Sequence, residues 1–117
     1  MANPLLDGAK SAFLNLLETC PIVPGAIVSK PLLNRPEGRV VVFAMDAGQE
    51  LTEHRAPFMT TVQVLDGRLD FTAGGQRQDM GPNDWLVMPP NEPHSLRAKQ
   101  GSRFLLTFLK VPSPPAT

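Results

Sequence analysis

The sequence has one cysteine, no tyrosine and only two histidines among its 117 residues. A single cysteine, Cys20, excludes an intramolecular disulfide and a thiolate zinc cluster. The formal net charge is zero, which argues against a nucleic-acid binder that depends on many Lys or Arg contacts to phosphate. No apolar run approaches the roughly 20 residues of a membrane span, and no secretory signal is evident in MANPLLDGAK. We therefore expect a single cytoplasmic domain that binds neither nucleic acid nor a membrane.

Thirteen prolines and nine glycines divide the chain into many short segments. From about Ile27 onward these segments have strand-like apolar patterns, and turn signals separate them at regular spacing. Eight or nine short strands of this kind predict an antiparallel barrel or a jelly-roll sandwich. The segment RVVVFAMD has a near-continuous apolar run, which predicts a strand buried on both faces. Asp66-Gly67 is typical of a hairpin turn between FMTTVQVL and RLDF.

The first 20 residues have the pattern of a helix. Asn3 is a plausible N-cap and Pro4 suits the first helical position. Pro21 ends the pattern, because the residue before a proline is pushed out of the α region. The apolar residues recur at helical spacing, and they are Leu6, Ala9, Phe13, Leu16 and Leu17. We therefore expect an amphipathic helix that packs on the domain or on a partner subunit.

Two segments about forty residues apart carry the two histidines. In the first, Gly48 is followed by QELTE and then by His54; in the second, NDWLVMPPNEPH ends on His94. Together they resemble the two motifs of the cupins, and more narrowly they are similar to a group of small single-domain bacterial cupins of the RmlC-like, cupin 2 type. Asn83 and Asn91 stand where the second motif has glycines, and Asn tolerates left-handed backbone better than most residues.

The resemblance implies an all-β fold, a double-stranded β-helix or cupin jelly-roll barrel, with an N-terminal α-helix. The corresponding segments are the helix and a linker at 1–24, the barrel at 25–111 and an extended tail at 112–117. The strands TTVQVL and RFLLTFLKV are apolar on more than one face, and the outer face needs cover. Because small cupins often pair through such strands, we expect a homodimer.

The metal site that the resemblance implies has three histidines and one glutamate. Here Ala56 stands at the second histidine position and Thr60 at the glutamate position, so that only His54 and His94 are carried over. Imidazole suits zinc, nickel, iron and manganese, and the two histidines therefore predict a divalent transition metal, at low occupancy. Glu50 shares strand parity with His54 and is the candidate third ligand. The alternative is that both rings line an apolar cavity and bond to each other or to water.

The residues in phase with His54 are predicted to face the barrel interior, and they are Ala56, Phe58, Thr60, Val62 and Val64, together with Met88. Core packing is their ordinary role, and the alternative is the wall of a small apolar pocket, which barrel mouths commonly form. Arg55 has a guanidinium fork that matches carboxylates and would clamp an anionic ligand. A surface position for Arg55 is the simpler interpretation.

The absence of tyrosine limits the enzymatic hypotheses. The sugar epimerases of the cupin superfamily pair a histidine base with a tyrosine acid, and its thiol dioxygenases often have a tyrosine near the iron. Neither arrangement can form in this chain. The first hypothesis is a small cupin of unknown specific activity that binds a small molecule and a divalent metal, with oxidative or isomerase chemistry as a family analogy only. The second is a non-catalytic, metal-free sensor or carrier.

Overall fold

A computed structural model describes residues 3–110, which fold as two antiparallel β-sheets that face each other. The strands in chain order are β1 Ile27–Arg35, β2 Gly38–Met45, β3 Glu50–His54, β4 Met59–Asp66, β5 Leu69–Ala73, β6 Gln76–Met80, β7 Trp85–Met88, β8 His94–Ala98 and β9 Ser102–Leu109, and one helix, α1 Leu16–Thr19, precedes them. The sheet orders are β1-β2-β9-β4-β7 and β3-β8-β5-β6. The predicted all-β jelly roll with an N-terminal helix is confirmed. Within residues 3–110, no helix has the length and hydropathy of a membrane span.

The main core lies between the two sheets. Its fully buried residues come from both sheets, and they are Met45, Val62, Val64, Leu69, Phe71, Met80, Met88, Leu96, Ala98 and Phe104. Phe43 stacks on Phe104 with ring centroids 5.0 Å apart and planes 4° from parallel. Since alternate residues of a strand point to opposite faces, the inward half of each strand forms this core. Asn83 and Asn91, in the turns before β7 and β8, have φ values of 71° and 66°, as expected at glycine positions.

A second apolar cluster covers the outer face of the five-stranded sheet. It contains Cys20, Leu32, Val42 and Ala44, all buried, with side chains from the N-terminal segment packed against them. Strand β2 is therefore buried on both faces, as its apolar run predicts. Lys30 Nζ donates a hydrogen bond to Thr19 O at 2.6 Å, and Arg103 Nη1 donates one to Leu17 O at 3.0 Å. These cations satisfy carbonyls at the end of α1, where positive charge is favourable.

The helix is much shorter than the sequence predicts. Its N-cap is Asn15, whose side chain accepts a hydrogen bond from Glu18 N–H, and not Asn3. The reason is a competing partner for the backbone, because Leu5 N–H and Leu6 N–H donate to two carbonyls of β1 at 3.0 and 2.9 Å. Gly8 then has φ +77°, which is incompatible with a continuing right-handed helix. The periodic apolar residues before Asn15 thus belong to an irregular segment, which bonds to the edge of β1 at Leu5 and Leu6.

Asp66-Gly67 is not the turn of a hairpin, and that prediction is wrong. Strand β4 pairs with β7 and β9, whereas β5 pairs with β6 and β8. The turn therefore passes the chain from one sheet to the other. A type I′ turn needs positive φ at both central residues, and here Gly67 has φ +84° while Asp66 does not have a positive φ.

Replacement of Gly67 tests this crossing. A Cβ at Gly67 would overlap Gly101 O and Ser102 Oγ and would lie 2.6 Å from Ser102 Cα, whereas a Cβ at Gly48, with nearly the same φ of +85°, would meet nothing within 4 Å. Both alanine variants incur the left-handed cost of about 1–2 kcal/mol. We expect Gly67→Ala to lower the free energy of unfolding by about 1–3 kcal/mol more than Gly48→Ala does, because of overpacking. Urea denaturation of the two variants measures the difference, and equal losses would contradict the tight crossing.

Candidate functional site

The two histidines lie side by side at one mouth of the barrel. His54 on β3 and His94 on β8 are cross-strand partners. Their ring centroids are 4.1 Å apart, and the ring planes meet at 62°. The structure thus brings together two residues that are forty positions apart in the chain. Whether they hold a metal stays a prediction at this point.

A bulge in β3 places His54 on the same side as His94. Leu51 pairs with Leu96 and His54 pairs with His94, so that three steps along β3 match two steps along β8. The extra residue reverses the alternation, and both Leu51 and His54 face inward. Glu50 lies on the other face, with a carboxylate oxygen 3.9 Å from Arg97 Nε. The prediction that Glu50 shares a face with His54 is therefore wrong, because it assumed a regular strand.

Backbone carbonyls fix the tautomer of both rings. His54 Nδ1 lies 2.7 Å from Thr52 O, and His94 Nδ1 lies 2.9 Å from Glu92 O. A carbonyl oxygen can only accept a hydrogen bond, so each Nδ1 carries the hydrogen. The Nε2 of each neutral ring is left with a lone pair, which can accept a hydrogen bond or bind a metal.

The two rings differ in their exposure. His94 is only 7% exposed, and its ring is nearly parallel to that of Phe71, with centroids 6.0 Å apart. Burial lowers the pKa of His94 below its usual value; the neighbouring His54 lowers it further, and the Glu92 carbonyl and carboxylate act in the opposite direction. His94 is therefore neutral near pH 7. His54 is exposed at the mouth.

The rings form part of a pocket of about 250 Å³. Its lining residues come from β2, β3, β4, β8, β9 and the loop after β3, and they are Arg39, His54, Arg55, Ala56, Pro57, Phe58, Thr60, His94, Leu106 and Phe108. We call this the barrel-mouth pocket. Of the predicted interior residues, Ala56, Phe58 and Thr60 line it. Thr60 is buried, and its hydroxyl donates to Phe58 O at 3.1 Å.

The other three predicted pocket residues do not line the barrel-mouth pocket. Val62, Val64 and Met88 are at most 2% exposed and belong to the main core. Strand β4 advances about 3.3 Å per residue, so Val62 and Val64 lie progressively deeper than Thr60, where side chains from the two sheets meet. Met88 pairs with Thr60 across β7 and β4 and packs in the same core. In the regular strand β4, alternation predicts the face of a residue correctly but not its depth.

Sequence reasoning missed Arg39, Pro57, Leu106 and Phe108. Arg39 and Phe108 are directly opposed in the β2–β9 ladder, and the Arg39 guanidinium carbon lies 5.8 Å from the Phe108 ring centroid. The alternation of β2 contained a signal, because Arg39 is in phase with the inward residues Phe43 and Met45. A charged residue at an inward position of an apolar strand is the feature that could have identified it.

The donors do not fit a resident metal ion. A catalytic zinc site needs three protein ligands and a structural one four. Within residues 3–110, no group of three or more His, Cys, Asp or Glu side chains could hold a metal ion. Arg39 and Arg55 also line the pocket and make it less favourable for a divalent cation. The two imidazoles therefore lack both the third ligand and the negative charge that such an ion requires.

A second pocket, of about 370 Å³, contains neither histidine. It is lined by residues of β5 and β6 and by residues at the start of β7, among them Gln76, Gln78, Asp79 and Asp84. Strands β6 and β7 are the edge strands of the two sheets, so this pocket is the open side of the sandwich. Although it is larger, it has no imidazole and no arginine on its wall, and the barrel-mouth pocket remains the candidate site.

Solved structures share this fold. A conserved Streptococcus pyogenes protein of unknown function, SPY1581, is 25% identical over 96% of this chain and 98% of its own, with a TM-score of 0.82. A cupin superfamily protein from Desulfitobacterium hafniense is 21% identical over 86% of this chain and 92% of its own, with a TM-score of 0.78. A cupin 2 conserved barrel domain protein from Leptotrichia buccalis is 31% identical over 83% of this chain but 47% of its own, with a TM-score of 0.78.

A search of the curated proteins gave no match. The model of the AraC-like ligand binding domain matches residues 38–114, which include both histidines and every residue that lines the barrel-mouth pocket. The chain therefore belongs to the AraC-like ligand-binding domain family and is a small domain of the cupin type.

Proposed function

We propose that this protein binds a small organic molecule in the barrel-mouth pocket and needs no resident metal to do so. The observation that carries the proposal is the pair of imidazole rings, 4.1 Å apart, on the wall of a 250 Å³ pocket. Apolar pockets with a few polar groups that converge on one point are the usual form of a small-molecule site. Membership of a ligand-binding family supports the same role.

Different residues of the pocket supply apolar surface and hydrogen-bond acceptors. Phe58, Leu106 and Phe108 supply apolar surface, and the Phe58 and Phe108 rings meet edge to face with centroids 6.4 Å apart. The imidazole Nε2 atoms supply acceptors whose positions are fixed by the Nδ1 hydrogen bonds. A preorganised arrangement of this kind loses little entropy when a ligand binds. A sensor or carrier requires no more than this, so we favour a binding role over oxidative or isomerase chemistry.

Native mass spectrometry and elemental analysis of untagged protein test the proposal. We expect transition metal well below one equivalent, and we expect His54→Gln and His94→Gln to leave that content unchanged. A fragment screen followed by amide NMR shifts should give shifts at Ala56, Phe58 and Thr60. Near-stoichiometric metal that is lost in His94→Gln would replace the proposal with a metal site. Shifts confined to Gln76, Gln78 and Asp79 would move the binding site to the second pocket.

The lowered pKa of His94 predicts how stability depends on pH. Below the unfolded value of about 6.5, the unfolded chain binds a proton that the folded chain resists. The free energy of unfolding should therefore fall as the pH decreases from about 6.5, and this contribution should level off once the pH is below the lowered folded pKa. Denaturant unfolding at several pH values measures the slope. His94→Gln should reduce the slope of the free energy of unfolding against pH. His54→Gln, at the exposed histidine, is the control and should leave most of the slope. Equal slopes in wild type and His94→Gln would contradict the assignment to His94.

We also infer a homodimer that forms along β7. Of the four edge strands, β1 is covered by the backbone of Leu5 and Leu6, β3 carries Glu50 and Glu53, and β6 carries Arg77 and Asp79. Strand β7 has the sequence WLVM, and its outward residues Trp85 and Val87 are 60% and 47% exposed. The unpaired backbone groups of an uncharged apolar edge strand favour pairing with a second strand. Strand β7 of a second copy, related by a two-fold axis, can form these hydrogen bonds.

Sedimentation velocity tests the dimer. Val87→Lys places a charge on the pairing edge and should give a monomer. Phe13→Ser is the matched control, because Phe13 is apolar and 97% exposed but lies in the N-terminal segment, and it should leave the dimer intact. A wild-type monomer at high micromolar concentration, or a dimer that only Phe13→Ser dissociates, would refute the β7 interface.

A further inference from the structure

We infer that the ligand of the barrel-mouth pocket is a small carboxylate that also carries a hydroxyl group and an apolar face. This inference rests on the proposed function and specifies the chemical class of the ligand. Three features of the pocket carry it, namely its unpaired arginines, the lone pairs of its imidazoles and its apolar walls.

The charge of the pocket is the first feature. The chain has seven arginines, and five of them lie within 4.0 Å of an Asp or Glu oxygen; these are Arg35, Arg68, Arg77, Arg97 and Arg103. The other two are Arg39 and Arg55, which have no such partner within residues 3–110, and both line the barrel-mouth pocket. Among the residues that the structure describes, no Asp or Glu lines it. Two guanidinium groups without a counter-ion beside one small pocket favour an anionic ligand, and their planar forks match a carboxylate.

The position of Arg39 shows that its charge belongs to the pocket. Arg39 is half-buried on β2, opposite Phe108, and its guanidinium lies over the Phe108 ring. This cation–π contact holds the side chain against the pocket wall and not in bulk solvent. Arg55 follows His54 directly and is exposed at the rim. One arginine is therefore held at the wall, and the other is free to close over a bound anion.

The imidazoles require a different group on the ligand. Each Nδ1–H is already committed to a backbone carbonyl, so each neutral ring presents only the Nε2 lone pair. A lone pair does not attract a carboxylate, but it accepts a hydrogen bond from a hydroxyl group. Arginines that only donate and imidazoles that only accept are both satisfied by one ligand that has an anionic group and a hydrogen-bond donor, and a hydroxyl group is the simplest such donor.

The apolar side chains and the volume of the pocket indicate the size of the ligand and require that it have an apolar face. Phe58, Leu106 and Phe108 are apolar, and the pocket volume of about 250 Å³ lies below the roughly 300 Å³ at which drug-sized sites begin. The ligand is therefore a compact molecule with one apolar face, such as a hydroxylated aromatic or alicyclic acid. A polyanion without apolar surface would leave these side chains uncovered.

Mandelate, phenylacetate and mandelamide are matched probes for this inference. Mandelate has the carboxylate, the hydroxyl and the phenyl face; phenylacetate lacks the hydroxyl, and mandelamide lacks the charge. Calorimetric titration of the full chain near pH 8, where the lowered pKa of His94 keeps its imidazole neutral, should rank mandelate at least about tenfold above each of the other two. Amide NMR shifts should locate mandelate at Ala56, Phe58 and Thr60.

Variants test whether Arg39 recognises the carboxylate of mandelate and whether His54 recognises its hydroxyl. Arg39→Gln should reduce the preference for mandelate over mandelamide, with Arg55 retaining part of it, and His54→Phe should reduce the preference for mandelate over phenylacetate, with His94 retaining part of it. Arg97→Gln is the control, because Arg97 is paired with Glu50 on the outer face, and it should change neither ratio. Circular dichroism checks that each variant is folded.

Two results would overturn the inference. Equal affinities for the three probes would show that the pocket recognises apolar surface alone, and the proposed function would stand. No binding of mandelate at millimolar concentration, while the fragment screen finds other ligands at the same amides, would show a different ligand class. The proposed function itself fails on different results, namely a fragment screen that shifts no amide of the barrel-mouth pocket, or near-stoichiometric metal that is lost in His94→Gln.

Discussion

The bulge between Leu51 and His54 is the constraint on which the site depends. Without the extra residue, a strand that keeps Leu51 in the core would point His54 to the outer face, on which Glu50 lies. With it, the His54 ring comes within 4.1 Å of His94. The same irregularity removes the glutamate from the pocket and so leaves the imidazoles without a carboxylate. One inserted residue thereby accounts both for the meeting of the histidines and for the weakness of the metal hypothesis.

The arginines at the barrel-mouth pocket differ from the other arginines of the chain. Elsewhere the arginines of residues 3–110 are matched by acidic residues, in a chain whose formal net charge is zero. At the barrel mouth the positive charge is unmatched and lies next to aromatic rings. Such a site repels divalent cations and attracts anions before any contact is made. The AraC-like ligand-binding family supplies the scaffold, and the ligand class that we infer follows from these side chains.

The fold was predictable from the sequence because strand alternation, turn residues and the two histidine segments all pointed to one architecture. Asn83 and Asn91 were predictable as left-handed residues for the same local reason. Three features were not predictable, because they depend on partners distant in the chain. The N-terminal segment has helical periodicity, but its backbone bonds to β1, and Asp66-Gly67 has hairpin composition, but its flanking strands pair elsewhere. The inward phase of Arg39 is visible in β2, but its contact with Phe108 exists only because β2 and β9 are neighbours.

The N-terminal segment also covers the thiol of Cys20. Cys20 is completely buried beneath it against β2, and burial raises the pKa of this thiol, although Lys30 and Arg103 oppose the shift. Hydrogen bonds from Lys30, Arg35 and Arg103, two backbone bonds to β1 and apolar packing fasten the segment to the barrel. Reagents in solution reach the sulfur only when these attachments release together. The rate of Cys20 alkylation therefore reports local opening of the N-terminal segment while the barrel itself stays folded.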